Sequence, residues 1–125
     1  MAKILIVDDE PFIRILLEQV LEGLEDKGVE LITANNGETA LEIITAESPD
    51  LVFLDIMMPK MNGFDVCNQV KNVLGMSDVY IVLLTAKGQE FDKQKGIDVG
   101  ADVYMTKPFN PDDVLAKAYA VLELA

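Results

Sequence analysis

The chain has 125 residues, half of them hydrophobic, and ten basic against twenty-two acidic side chains leave a formal charge of −12. That length holds one core and no second, burying roughly two-thirds of the surface an unfolded chain exposes, and the apolar content excludes intrinsic disorder. The negative charge repels nucleic-acid phosphates and anionic membranes, so direct nucleic-acid binding is not expected.

Ile4 to Val7 is a short apolar run that reads as a buried strand, and it ends in the acids Asp8, Asp9 and Glu10. One lysine and four apolar residues are too few for a signal-peptide core or a transmembrane helix, so a cytoplasmic protein without membrane insertion is predicted. Pro11 suits a first helical turn. From Phe12 to Leu24, the residues Leu16, Leu17, Val20, Leu21 and Leu24 fall on one helical face, with Gly28 in the end region. Val29 to Ala34 reads as a second strand. Asn35, Asn36 and Gly37 then turn into a second helix that packs through Ala40, Leu41 and Ile44.

The stretch Leu51 to Pro59 is the most informative of the chain. Four apolar residues end at a single carboxylate, Asp55, before a loop through Met58, Pro59, Asn62 and Gly63. Such a run suits a strand covered on both faces, as in parallel sheets. The carboxyl ends of these strands line the crevice where open α/β sheets bind ligands, which places Asp55 for chemistry. A third helix follows Gly63, with Val66, Cys67, Val70, Val73 and Leu74 as its expected inner face and Gly75 as its stop. Cys67 is the one cysteine, so no intrachain disulfide can form. It reads as a small buried hydrophobe in a reducing compartment.

Val79 to Leu84 is the fourth strand and exits into Thr85, Ala86, Lys87 and Gly88. The segment from Gln89 to Val99 is mostly polar and contains Gly96, which makes its helix the least secure of the five. Asp102 to Met105 forms a short fifth strand, followed by Thr106, Lys107, Pro108 and Phe109. Asn110 as N-cap and Pro111 at the first helical position open the last helix, striped by Val114, Leu115, Ala118, Val121 and Leu122. Five strands alternating with five helices predict one α/β domain over residues 1–125, a parallel sheet with helices on both faces and right-handed crossovers.

If the strands are parallel, Asp8, Asp9, Asp55, Thr85 and Lys107 open on one sheet edge. Two carboxylates about 4 Å apart repel by roughly 4 kcal/mol at an effective dielectric of 20, so three stay ionised only with compensating positive charge. A divalent cation is implied. Oxygen donors, no histidine and no available cysteine favour magnesium or manganese over zinc. A carboxylate beside such a cation can attack phosphorus and form an aspartyl phosphate, with Lys107 and the Thr85 hydroxyl on phosphoryl oxygens. Taken singly, each residue has an ordinary reading: a helix cap for an Asp, a loop hydroxyl for Thr85, a solvated charge for Lys107. Their recurrence at successive strand exits favours a site.

The motifs Val7 to Pro11, Phe53 to Pro59, Leu84 to Lys87 and Tyr104 to Phe109 together resemble the receiver domain of the response-regulator family of two-component signalling, over essentially the whole chain. The resemblance implies a flavodoxin-like, doubly wound (βα)5 fold with a five-stranded parallel sheet of order 2-1-3-4-5. It also implies that Asp55 accepts a phosphoryl group from a phosphohistidine on a sensor histidine kinase or histidine phosphotransfer protein. By the same likeness Asp9 and Asp55 bind magnesium directly with the Met57 backbone carbonyl, Asp8 acts through water, and Lys107 pairs with the phosphoryl group. The Lys107–Pro108 bond is expected to be cis. Thr85 and Tyr104 are expected to switch the surface of the fourth helix, fifth strand and fifth helix, which controls a partner or output domain. Such a protein is no enzyme beyond its own phosphorylation and dephosphorylation.

Val103 departs from the pattern, standing where many members carry a second acid that supports a symmetric dimer. A monomer or a phosphorylation-dependent dimer is the expectation. Met57 and Lys87 flank the acceptor and are expected to influence phosphoryl lifetime. Three other readings compete. A phosphatase of the haloacid-dehalogenase type wants acids two apart, whereas Asp8 and Asp9 are adjacent, and its cap domain does not fit this length. A flavodoxin must cradle a phosphate where Asp8 to Glu10 would repel one. A constitutive interaction module would leave the intact acids, Thr85 and Lys107 without use.

Overall fold

The alternation of apolar runs and helical periods becomes, in the computed structural model, five strands and five α-helices over the described residues 1–86 and 92–124. The elements are β1 (Lys3–Val7), α1 (Pro11–Leu21), β2 (Glu30–Ala34), α2 (Gly37–Glu47), β3 (Leu51–Asp55), α3 (Gly63–Asn68), β4 (Tyr80–Ala86), α4 (Asp92–Asp98), β5 (Val103–Lys107) and α5 (Pro111–Leu122). All strand pairs are parallel, in the order β2-β1-β3-β4-β5. The flavodoxin-like order expected from the resemblance is therefore the one observed.

Side chains alternate across a strand, so a run without polar residues feeds two cores at once. Leu5, Val7, Val52, Leu54, Ile81 and Leu83 pack with Ala40 and Ile44 of α2 and Val66 and Cys67 of α3. On the opposite face Ile4, Ile6, Leu51, Phe53, Val82 and Leu84 pack with Leu17 and Leu21 of α1 and Val114 and Ala118 of α5. This two-sided burial explains why β3 is buried along its full length, including its terminal aspartate.

The ends of several elements depart from the sequence expectation. The first helical period ends at Leu21, and a 3-10 turn over Glu22–Lys27 carries Leu24 into the core before Gly28 closes it in the left-handed region. Residues Gln69–Val73 form a π-helical turn after α3, in which the Leu74 amide donates to the Gln69 carbonyl five residues back. The extra residue rotates the end of this turn away from the sheet. Val73 and Leu74, expected on the inner face, are instead 62% and 48% exposed, and Met76 packs against the core. The fourth and fifth strands run further than expected, so Thr85 and Lys107 lie inside strands and not after them. Lys87, Gly88 and the first residues expected in the fourth helix lie outside the described residues.

The predicted cap at Asn110 is present, and Asn36 and Asn62, expected in turns, cap their helices as well: each of the three accepts a backbone N–H of the following turn. Replacing Asn36 leaves the Thr39 amide without its partner, so Asn36→Ala should lose about 1 kcal/mol of stability while Asn36→Asp keeps most of it. Urea unfolding of the two variants measures this, and equal losses would deny the cap its role. Among the described residues no helix is long and apolar enough to cross a membrane.

Candidate functional site

β1 and β3 lie side by side, but the chain leaves β1 toward β2 on one side and enters β3 on the other, so the strand order reverses between them. A crevice opens at such a reversal, at the carboxyl ends of the strands. Val7 pairs with Leu54, so the next residues, Asp8 and Asp55, emerge beside one another. Lys107 ends β5, two strands away, and its long stem spans β4. Its ammonium lies 2.8 Å from Asp8 Oδ2 and 3.0 Å from Asp55 Oδ1. One cation thus bridges two buried carboxylates.

Asp8 is fully buried and held at every polar atom. Its amide donates to the Ala34 carbonyl, its Oδ1 accepts from the Glu10 amide at 2.9 Å, its Oδ2 accepts from Lys107, and its carbonyl accepts from Arg14 Nη1 at 2.7 Å. Arg14 is the chain's one arginine, and it secures the loop that carries the acids. Asp9 and Glu10 are exposed beside it. A carboxylate oxygen from each of Asp8, Asp9 and Glu10 lies within 4.8 Å of the others. This hard-oxygen set suits a magnesium-type cation, and a lone ammonium does not neutralise the two buried acids together with Asp9.

The electrostatics reflect that shortage of positive charge. Burial, then repulsion from Asp8, pushes the Asp55 carboxyl up to about 6, against the downward pull of Lys107. Loss of solvent would lower the Lys107 ammonium, but its bonds to Asp8 and Asp55 outweigh this and hold it above its usual value. Lys107 is therefore charged at neutral pH, and Asp55 is mostly ionised.

Thr85 is buried on β4 one residue past Leu84, which pairs with Asp55, and Ala86 beyond it pairs with Lys107. Tyr104 pairs with Leu83 and packs on the core shared by α2 and α3. The Met57 side chain, two residues past the end of β3, is exposed. The Lys107–Pro108 bond is cis, as expected. Gly63 lets the start of α3 pass directly under the Asp55 backbone, where a Cβ would collide with the Asp55 carbonyl. Val103 packs on the core shared by α1 and α5. The acid that remains, Asp102, is tied within the chain: it bonds Lys71 at 2.8 Å and accepts from the Ile81 amide.

The structure thus brings Asp8, Asp55 and Lys107 into direct contact and sets Asp9 and Thr85 at the same edge. Sequence reasoning did not single out Glu10 as a ligand oxygen or Arg14 as the support of the acid loop. The partner of Arg14 is a backbone carbonyl, which leaves no mark on residue type.

The family model described as the response regulator receiver domain matches residues 4–119. The chain is 48% identical to the alkaline phosphatase synthesis transcriptional regulatory protein PhoP of Bacillus subtilis over 96% of this chain and 48% of that protein. It is 47% identical to the probable transcriptional regulator ycf27 of Porphyra purpurea, over 98% of this chain and 48% of that one. The chain therefore spans about half the length of these curated relatives. Among solved structures, a putative response regulator from Chloroflexus aurantiacus superposes with a TM-score of 0.85 at 33% identity, covering 98% of both chains. Chemotaxis protein CheY4 of Vibrio cholerae superposes with a TM-score of 0.83 at 35% identity, covering 97% of this chain and 98% of that one.

Proposed function

Because the chain belongs to the response regulator receiver domain family, we propose that residues 1–125 form a phosphorylation-driven switch whose acceptor is Asp55. The single observation that carries this reading is the Lys107 ammonium bridging two buried carboxylates at the sheet's carboxyl edge. The donor is a phosphohistidine on a sensor histidine kinase or a histidine phosphotransfer protein. An Asp55 oxygen attacks phosphorus, the phosphorus–nitrogen bond breaks, and the imidazole leaves with the electron pair and takes up a proton. Asp9 and Asp55, with the Met57 carbonyl, would hold magnesium or manganese directly and Asp8 mainly through water, with a Glu10 oxygen close to those of Asp8 and Asp9. The ion supplies positive charge to the transferring oxygens.

The chain's own residues do the rest. Asp55 attacks as its carboxylate, which burial and Asp8 make more basic than an ordinary aspartate. Lys107 exchanges the Asp55 oxygen for a phosphoryl oxygen, and the Thr85 hydroxyl donates to another. Moving a two-state equilibrium from 1:99 to 99:1 takes about 5.5 kcal/mol. Two or three new charge-assisted hydrogen bonds at roughly 1.5 to 3 kcal/mol each supply that. Movement of Thr85 and of the Tyr104 ring then alters the surface of α4, β5 and α5 for a downstream protein or output domain. The relatives named as transcriptional regulators are about twice as long as this chain, so the switch acts either by docking on a separate protein or on an output domain in the same polypeptide. Asp102 is occupied by Lys71 and Val103 is apolar, which supports a monomer, or a dimer only after phosphorylation. The site turns over only its own phosphoryl group, in the cytoplasm.

Intact mass after incubation with magnesium and phosphoramidate tests the reading. One phosphoryl group should appear on the wild type, none on Asp55→Ala, and none when a chelator is present. Stoichiometric labelling of Asp55→Ala would remove Asp55 as acceptor. Failure of the wild type with every donor would leave a constitutive interaction module.

A further inference from the structure

Gly96 sits in the interior of α4, the seven-residue helix Asp92–Asp98, and is buried. Glycine is a poor choice for a helix interior, where alanine is favoured. The reason lies across the interface. A Cβ built on Gly96 would fall on the Tyr104 ring, against its hydroxyl, Cε2 and Cζ atoms. The ring therefore lies on the bare backbone of α4 at this one residue.

α4 cannot simply move back to admit a methyl group, because residues on either side of Gly96 are fastened to α3 and to the turn after α3. Lys95 Nζ lies 5.0 Å from the centre of the Phe64 ring, Asn72 donates to the Asp98 carbonyl at 3.3 Å, and the Cys67 thiol donates to the Val99 carbonyl. Packed interiors resist even one added methyl group. The far end of a tyrosine side chain is the softer partner, so the ring yields.

We infer that Gly96 is a positioning residue for the switch: it is the seat that holds the Tyr104 ring in its resting place while Lys107 bridges Asp8 and Asp55. Alanine at 96 expels the ring and populates the alternative arrangement without phosphorylation. The inference rests on the switch role proposed above for Tyr104.

Four proteins test it: wild type, Gly96→Ala, Tyr104→Ala and the double variant. In the Tyr104→Ala background the substitution at 96 should raise the folded-to-unfolded ratio about fivefold, the ordinary gain of alanine over glycine in a helix. In the wild-type background that gain should vanish or reverse in urea unfolding. Equal gains in both backgrounds would overturn the seat. The second readout is the ring itself, observed by NMR on protein labelled with carbon-13 at the tyrosine ε positions. The Tyr104 signal, assigned by its loss in Tyr104→Ala, should shift in unphosphorylated Gly96→Ala toward its position in the phosphorylated wild type. An unmoved signal, or one displaced elsewhere, would overturn the regulatory part. A Tyr104 signal that ignores phosphorylation of the wild type would instead sink the switch reading, and the unfolding result would still decide the seat.

Discussion

Asp55→Asn should be more stable than the wild type in metal-free buffer at pH 7, by about 2 to 3 kcal/mol. Burial and the neighbouring Asp8 raise the Asp55 carboxyl from 3.8 to about 6, so the folded state holds the ionised form at a penalty. Each unit of such a shift corresponds to about 1.4 kcal/mol, and the favourable pull of Lys107 on the carboxylate is already included in it. The sign is set by proton binding. Between these two values the folded chain holds a proton that the unfolded chain has released. The stability linked to Asp55 is therefore complete below pH 3.8 and lost as pH rises through 6. Asparagine cannot ionise and does not lose it. Urea titrations from pH 4 to 7.5 should show the two proteins converging in acid and parting at neutral pH. A variant less stable than wild type at pH 7 would mean that the Lys107 bond outweighs desolvation. Magnesium should narrow the gap by stabilising the wild type alone.

Lys107→Ala should act in the opposite direction and cost about 3 to 5 kcal/mol at pH 7, because it leaves two buried carboxylates facing each other without their cation. For a domain with a total stability of about 5 to 15 kcal/mol, that loss brings unfolding close. Much of it should return on acidification, since without the ammonium Asp55 takes up a proton more readily, and magnesium should restore part at neutral pH. The variant should still accept a phosphoryl group on Asp55 once folded with magnesium, while the Tyr104 signal no longer moves. A loss below about 1 kcal/mol that does not vary with pH would contradict the bridge.

Much of this architecture was readable in the chain. β1, β3 and β4 are apolar runs that only a doubly covered sheet accommodates, and the helix starts at Asn36, Asn62 and Asn110 carry their caps in residue type. The acids and Lys107 stood out because they come at the ends of apolar runs. The inner face of the third helix was misjudged at Val73 and Leu74, because a π turn changes the helical phase without any signature in hydrophobicity. The support role of Arg14 escaped, and Gly96 was legible only as a weak point of its helix, for a related reason. Their partners are a backbone carbonyl and an aromatic ring, each distant in the chain or invisible in residue pattern.

Composition and order alone determined a parallel α/β fold with an acidic edge, since runs of apolar residues and their terminal acids are local properties of the chain. Only the tertiary structure decided that one lysine would join Asp8 to Asp55 across 99 and 52 residues, that Asp102 would be spent on Lys71, and that Gly96 would lie under Tyr104. Those pairings depend on strand order, register and the reach of side chains, which are properties of the packed sheet and of no single segment.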